Sequence, residues 1–564
     1  MTRRNLTSIV CVILVVLMLI STAGCGGAKE NAQTNTEKPA NNNSSSDASS
    51  SGENEEGKLS SYITDEKLTL TILTTEWTGA QVGNNMPLYQ ELEKRTNIHL
   101  DFQLLPLTDP LEKFNLIMAS GDLPDIIGYS NATALNKYGM EGALIPLQDL
   151  IEEHAPDIKK AYDNPLPNDP LPYRQNTWAE ITAGDGNIYS IALISSSNAI
   201  GAVWAIRTDW LEKLGLEIPE TADDLYNVLK AFKEQDPNGN GEADEIPLVA
   251  GQGGKTARIL PLVNAFDAHM NLYVDPETDT IKYGPVEENF KEGLMFLNKL
   301  YSEGLLEEDY LTATNDQWLA RASGNQAGLM FVWPASGIGG ANNGLQKLDK
   351  SFKFEPIAPF KSKSGAQYKD TSTAGRLVQP RNAITVANKH PVETMKLFNY
   401  CFTEEGARLI EYGIEGVHHT IVDGKPVYTD LILNNPDGLD PEAARVNDGL
   451  LTTALPYQMG WDCHFQAHAE AAPWTVKAWE VYREPGMVEA PMPTLNFTDQ
   501  ELSKVNQLAA EINTFKDPMI DKFIMGLESF DKFDEFVDGI NKAGLEELLK
   551  IYNDAYQRYK ENAQ

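Results

Sequence analysis

Between Lys67 and Ser130 the chain alternates between two residue periods, and that alternation limits the fold more than any other stretch. "KLTLTIL", Lys67 to Leu73, places apolar residues at every second position, the spacing of a half-buried strand. "NNMPLYQELEKRTN" has helical spacing, "IHLDFQLL" returns to a strand, and "DPLEKFNLIMASGDLPDIIGYS" reads as a helix, a stop at Gly121 and a third strand. A glycine after the last apolar turn ends a helix, and Pro124 forbids its continuation. The order strand–helix–strand–helix–strand predicts a mostly parallel sheet covered by helices. Ligands bind outside the carboxyl ends of such strands, where Trp77 and Tyr129 fall.

The pattern continues downstream. "GNIYSIAL" reads as a strand, "GAVWAIRTDWLEKLG" as a strand and helix, and "TADDLYNVLKAFKEQD" as a helix with Thr221 as N-cap and acids in its first turn. "VEENFKEGLMFLNKLYSEGLL" is a strongly amphipathic helix. "QAGLMFVWPAS" is a buried strand running into Trp333, and the C-terminal third is mostly helical. No internal repeat is present.

The N-terminus is an address. Arg3 and Arg4 precede an apolar run, Ile9 to Ile20, too short for a comfortable membrane span. "STAGC" follows, so residues 1–24 read as a secretory signal peptide. Its end resembles a bacterial lipobox, with Thr22 where Leu is usual. On that resemblance Cys25 is lipidated; the alternative is ordinary cleavage and free secretion. A two-chain anchor holds a protein at a membrane surface without a spanning helix. Residues 26–61 are rich in Ser, Asn, Glu and Gly with almost no large apolar side chains. Such a segment stays disordered and serves as a tether. The 564 residues carry a formal charge of −35, which argues against nucleic acid as partner. Of the four cysteines, Cys401 and Cys463 remain in the folded body, either as a disulfide or as two buried thiols.

"DPNGNGEADEIP", Asp236 to Pro247, follows directly on a helix. Asp236, Asn238 and Asn240 occupy loop positions one, three and five, Gly241 permits the sharp turn at six, and Glu242 can offer its carbonyl at seven. These are the hard oxygens that calcium prefers. An EF-hand needs a bidentate Glu at twelve, where Pro247 stands; Asp244 and Glu245 can supply carboxylates instead. The competing reading is an Asn-Gly turn with solvated acids, which leaves the regular alternation of oxygen donors unexplained. No acid–base pair adjoins the loop, so a calcium ion here is structural.

The segments "LIMASGDLPDIIGYS", "GDGNIYSIAL", "WAIRTDWLEKLGLEIPETADDLYNVLKAFKEQDPNGNGEADEIPL", "GNQAGLMFVWPAS", "NKHPVETMKLFNYCFTEEG" and "YGIEGVHH" resemble the carbohydrate-type extracellular solute-binding proteins of ABC importers. Within them, the loop and "GIEG" resemble LipO-like lipoproteins and alginate-oligosaccharide-binding proteins. The resemblance implies an α/β, two-lobed periplasmic-binding-protein-like fold (type II), with lobes that close on a ligand by a hinge. It implies lobe 1 from 63–206 and 371–421 and lobe 2 from 207–370 and 422–564, with crossings near 204–208, 371–381 and Ile421. It also implies an oligosaccharide ligand, permease subunits as partners, no catalysis, a monomer, and a place on the outer face of the cell membrane.

Sugar sites pair stacking aromatics with polar groups that bond the hydroxyl rim. The candidates are Trp77, Tyr129, Trp204, Trp333 and Trp461, each otherwise a core residue; the resemblance favours Trp333. Glu415 and His418 face the cleft or form a helix-end turn. Arg207 binds ligand or pairs at the hinge. The alternative function is a secreted, calcium-stabilised polysaccharide-degrading enzyme, which needs two carboxylates at fixed separation. His464 and His468 lack the HExxH context of a zinc site, and "GQGGKT" fails P-loop spacing.

Overall fold

The structure, a computed structural model, describes residues 63–76, 82–106, 109–163, 176–195, 201–251, 255–369, 378–450, 454–460, 462–469, 472–482, 487–488 and 492–563. All fall within one unit of the chain, Leu59–Gln564. The expected signal peptide, Cys25 and its tether, and Trp77 and Trp461, lie outside the described residues.

In chain order the strands are β1 Leu68–Thr75, β2 Ile98–Leu105, β3 Ile126–Gly128, β4 Ile191–Ser195, β5 Val203–Arg207, β6 Ile246–Leu248, β7 Leu272–Asp275, β8 Thr280–Tyr283, β9 Ala327–Val332, β10 Phe354–Ile357, β11 Val378–Ile384, β12 His419–Val422, β13 Lys425–Tyr428 and β14 Gln458–Met459. A six-stranded sheet has the order β14-β4-β11-β3-β1-β2, and a four-stranded sheet the order β10-β5-β9-β6. In the first, only β11 runs against its neighbours. In the second, only β5 does. Each sheet therefore has one carboxyl edge. The chain leaves the first edge after Ser195 and enters the second at Val203; it leaves the second after Ile357 and re-enters the first at Val378.

The helices form where the pattern places them. Pro87–Thr96 and Pro110–Ser120 cover the first sheet, the second ending on Gly121 at φ 76°. Ala222–Glu234 opens with a complete capping box between Thr221 and Asp224, which adds about 1 kcal/mol to a helix start. The helix Asp499–Ile524 buries Val505, Leu508, Ile512, Lys516, Ile520 and Phe523 at three- and four-residue spacing, so one face turns to the second core. Each such fully buried apolar side chain contributes about 1.5–3 kcal/mol.

Two cores follow the two sheets. Leu70, Ile72, Ile126, Ile191, Ile384 and Phe398 centre the first; Ile206, Trp210, Phe232, Leu294, Leu329 and Phe523 are in the second. Tyr428, Ile432, Leu450, Tyr457, Cys463 and Ala467 also pack in the first core. β5 pairs only within the second sheet. Within the expected crossing at 204–208, Trp204–Arg207 lie in the second sheet, while β4, in the first, ends at Ser195. Beyond the expected crossing near Ile421, Tyr428 and Ala467 still pack in the first core, and the helix Pro473–Tyr482 packs under β10. Cys401 and Cys463 are buried and not bridged to each other, and burial pushes the Cys401 thiol up to about 12.

The two cores also touch directly. The helix Thr177–Ile181 packs Ala179 against Tyr556 and Tyr559 of the C-terminal helix Leu545–Asn562. Asn496 accepts from Asn136 Nδ2 at 2.8 Å and donates to the Glu180 carbonyl at 3.0 Å. A Cβ on Gly184 would meet the Phe497 backbone at 2.8 Å, so the two backbones meet there with no side chain between them.

Candidate calcium loop and ligand cleft

The loop at 236–247 joins the helix Ala222–Glu234 to β6 and is held at three points. Asp236, at φ 48°, accepts the Gly239 N–H on Oδ1 at 2.8 Å and the Gly241 N–H on Oδ2 at 3.1 Å. Asn238 Oδ1 accepts from Asn240 N at 2.9 Å, and Asn240 Oδ1 from Glu242 N at 2.7 Å. Each donor residue thus turns an oxygen back into its own loop. The Lys213 ammonium closes the outer turn on the Asp236 and Pro237 carbonyls.

The acids are arranged unequally. Asp244 is half-buried and receives N–H groups from Asn238 (2.8 Å), Asn240 (3.0 Å) and Gln326 (2.8 Å). Burial works against its charge, but those donors outweigh it and hold its carboxyl below the ordinary value. Glu245 has the opposite balance. Burial, then repulsion from Asp236 and Asp244, raises its carboxyl, and its Oε1 is buried with no partner. An unmet buried acceptor costs about 1–3 kcal/mol. Among the described residues no group of three or more His, Cys, Asp or Glu side chains is gathered as a metal cluster. Here half the oxygens come from amides, and Asp244 is engaged by N–H donors. The donor set and the unmet Glu245 oxygen fit a hard divalent cation.

Gln326 also ties the loop to the second sheet, since its carbonyl accepts from Ile246 N at 2.8 Å. β9 then runs from Ala327 to Val332 and delivers Trp333 at its carboxyl end. At about 3.3 Å per residue the loop lies roughly 20 Å from that edge. Its position indicates support of the strand rather than contact with a ligand.

At the carboxyl edges, Tyr129 follows β3, its ring 5.0 Å from Phe114. Trp333 is partly exposed where β9 ends. The chain after it, with residues 439–443, Val446, Asn447, His468 and Trp474, walls a cavity of about 540 Å³. One wall belongs to the second sheet and the other to the segment packed on the first. Ser336, Asn343, Asn447 and Glu442 supply polar groups, and Trp474 an aromatic face. The Trp474 Nε1 donor is buried without a partner, and a Cβ on Gly339 would lie 3.5 Å from it. A second cavity of about 450 Å³ lies where Asn136 and Met140 face Asn271, Phe497 and Tyr552.

Three of the expected ligand residues are buried. Trp204 is 3% exposed and packs against Phe331 and Phe360, with ring centroids 4.9 and 5.4 Å away. Arg207 is 0% exposed; its Nε donates to Asp209 at 2.8 Å and its guanidinium lies 4.6 Å from the Trp210 ring. His418 is 1% exposed, its Nδ1 accepting from Ile414 N at 2.9 Å and its Nε2 facing Asp448 at 3.2 Å. These are core packing and a tied turn. Glu415 is exposed on that turn, next to Gly416 at φ 79°. Trp474 was not among the expected residues. The sequence signal for it is the run of small residues and a proline, "AAPW", at a helix start.

No helix among the described residues is long and apolar enough to cross a membrane. By sequence the chain is 27% identical over 518 residues to the fructooligosaccharide ABC transporter substrate-binding protein FusA of Streptococcus pneumoniae, covering 88% of this chain and 91% of the relative. It is 26% identical over 385 residues to lipoprotein LipO of Bacillus subtilis, 67% of this chain and 72% of the relative. The structure resembles alginate-binding protein AlgQ2 without calcium ion, with TM-score 0.68 and 30% identity over 88% of this chain and 99% of that one. It resembles FusA in complex with kestose, with TM-score 0.67 and 25% identity over 88% and 100%, and an EF-hand mutant of FusA equally. Residues 84–408 match the bacterial extracellular solute-binding proteins. Two α/β bodies joined edge to edge, with cavities between them, are the frame that such a match requires, and the chain belongs to that family.

Proposed function

We propose that this chain is the substrate-binding lipoprotein of an ABC importer, capturing an oligosaccharide between two closing lobes and delivering it to membrane permease subunits. The observation that carries this reading is the cavity of about 540 Å³ whose walls come from both bodies. A ligand held there touches both walls fully only when they approach, so it binds the closed state better and shifts the population toward it. Trp474 offers a flat apolar face for a sugar ring. Ser336, Asn343, Asn447 and Glu442 offer donors and acceptors for its hydroxyl rim. Trp333, Tyr129 and Glu415 remain candidates at the edges, as do Trp77 and Trp461. FusA and AlgQ2, named for fructooligosaccharide and alginate, support a carbohydrate ligand.

The reading is non-catalytic. Asp440 caps a helix through Ala443 N at 2.9 Å, and Glu442 pairs with Arg445 at 3.1 Å. Neither stands as a carboxylate poised opposite a second one, as glycoside hydrolysis demands. Lobe 1 comprises residues 63–195 and 378–468, and lobe 2 residues 203–369 and 473–563. The loop oxygens of Asp236, Asn238, Asn240, Glu242 (carbonyl), Asp244 and Glu245 hold a structural Ca2+, which neutralises the repulsion among the acids. The signal peptide, a diacylglycerol on Cys25 and the tether place the receptor, as a monomer, on the outer face of the cell membrane.

The test is calorimetric titration with an oligosaccharide panel, followed by product analysis. Stoichiometric binding of an intact oligosaccharide, with a change in tryptophan fluorescence, is expected. Turnover of any bound glycan would refute the receptor reading.

A further inference from the structure

We propose that Gly339 and the indole N–H of Trp474 form a specificity-determining subsite in the cavity of about 540 Å³. A sugar hydroxyl accepts from that N–H in the space a side chain at 339 would fill. This rests on the receptor reading above and names the ligand group that the site reads.

Neither backbone nor packing calls for glycine at 339. Its φ of −59° and ψ of −47° are ordinary right-handed helix, which any residue adopts. It stands in the helix Gly339–Leu348, where glycine weakens the helix relative to alanine. A Cβ there would lie 3.5 Å from Trp474 Nε1, 3.6 Å from Cζ2 and 3.8 Å from Cε2, all ordinary van der Waals contacts. Two other glycines of the same body differ. A Cβ on Gly337 would come within 2.5 Å of Val332 Cβ, and one on Gly328 within 2.5 Å of the Phe232 ring and 2.8 Å of the Pro247 carbonyl. Packing excludes a side chain at those two positions and admits a methyl at 339. That methyl would cover the indole edge, since Nε1 is the atom it would touch first.

The donor behind that edge is unmet. Trp474 Nε1 is buried and has no acceptor in the chain, an arrangement that costs stability until an acceptor arrives. Gly339 and Trp474 both line the cavity, so an acceptor that reaches 339 from the cavity completes the hydrogen bond. The wall from the other body carries Glu442, an acceptor whose carboxylate lies 3.1 Å from Arg445. A hydroxyl both accepts and donates, whereas a carbonyl or ether oxygen only accepts. A ring bearing free hydroxyls therefore serves the indole donor on one wall and the carboxylate on the other. The indole face beside the N–H takes the apolar face of the same ring.

The test titrates the full chain, in detergent with calcium, by calorimetry against kestose, xylotriose, mannotriose, maltotriose and trigalacturonate, and records the melting of each variant. Gly339→Ala is expected to melt at or above the wild-type temperature, because alanine favours the helix. Its affinity for whichever of the five the wild type binds should fall roughly tenfold, the loss of one hydrogen bond to a buried donor. Trp474→Phe keeps a flat apolar ring and removes the N–H, and should also lose roughly tenfold. Both variants act on one hydrogen bond, so together they should cost less than the product of their separate losses. Should Trp474→Phe misfold, Gly339→Ala decides alone. A Gly339→Ala variant that binds as the wild type does, or that melts several degrees lower, overturns the inference and leaves the receptor reading standing. Fully multiplicative losses overturn it as well. Binding of none of the five overturns the receptor reading, and the inference with it.

Discussion

The loop at 236–247 draws its oxygens from one short run of chain, whereas the cavity brings Ser336, Glu442 and Trp474 together from segments far apart in sequence. Within the loop, Asp236 and Asp244 repel Glu245, whereas the cavity's Glu442 is paired with Arg445. One region carries repulsion among acids that the proposed cation would relieve. In the other, an indole and hydrogen-bonding groups line the walls, and Glu442 is paired with Arg445. If the proposed cation and ligand sites are separate in this way, loss of the cation would leave ligand recognition in place, and loss of the ligand face would leave the fold in place.

Four experiments press on that division. The largest effect is expected from Trp204→Ala, which should destabilise the fold by about 3–5 kcal/mol, as for a buried aromatic. Denaturant titration measures this, and an unchanged midpoint with weakened sugar binding would move Trp204 back to the cleft. Chelation comes next. A cation at a hundred times its Kd adds about 2.7 kcal/mol, so excess chelator should lower the melting temperature by several degrees while oligosaccharide affinity shifts less than about threefold. Melting that ignores chelator would dissolve the distinction between the two regions.

Trp474→Ala should weaken oligosaccharide binding by about 2 kcal/mol, roughly 30-fold, and leave the calcium-dependent part of the melting shift intact. Calorimetry on both ligands checks the two halves together. The smallest effect is the pH dependence of the loop. Glu245 is raised in the fold, so in chelator its contribution to stability is present below its unfolded pKa and lost as pH rises through the folded one. Cation binding has to displace that proton. The melting gap between calcium and chelator should therefore narrow as pH falls from 7 toward 5. Asp244, held low, releases its contribution only at more acid pH. A gap that widens on acidification would reverse the assignment of Glu245.

The same division explains what could be read in advance. Strands, helices and the metal loop are local patterns, and "KLTLTIL", the Thr221 cap and the donors from Asp236 to Glu245 carry their own spacing. Sheet membership, on which the crossings depend, is set by distant pairings. "VWAIR" looks the same in either sheet until Trp204 is found opposite Phe331 and Ile357. Residues 428–467 join the first core through contacts with no local mark. A tryptophan in an apolar run is equally at home against Phe360 or in a cavity wall, so no local pattern separates Trp204, packed on Phe360, from Trp474, which lines the cavity of about 540 Å³.

Gly184 has a mechanical meaning. Where its backbone lies against Phe497 and Thr498, the two halves cannot move closer, and Asn496 bonded to the Glu180 carbonyl keeps them from parting. In the proposed closure, a contact this close can shift little while the rest of each half turns. A few degrees there sweep little arc at residue 184 and several ångströms at the far rim, so the smallest residue type sits where the least travel is needed.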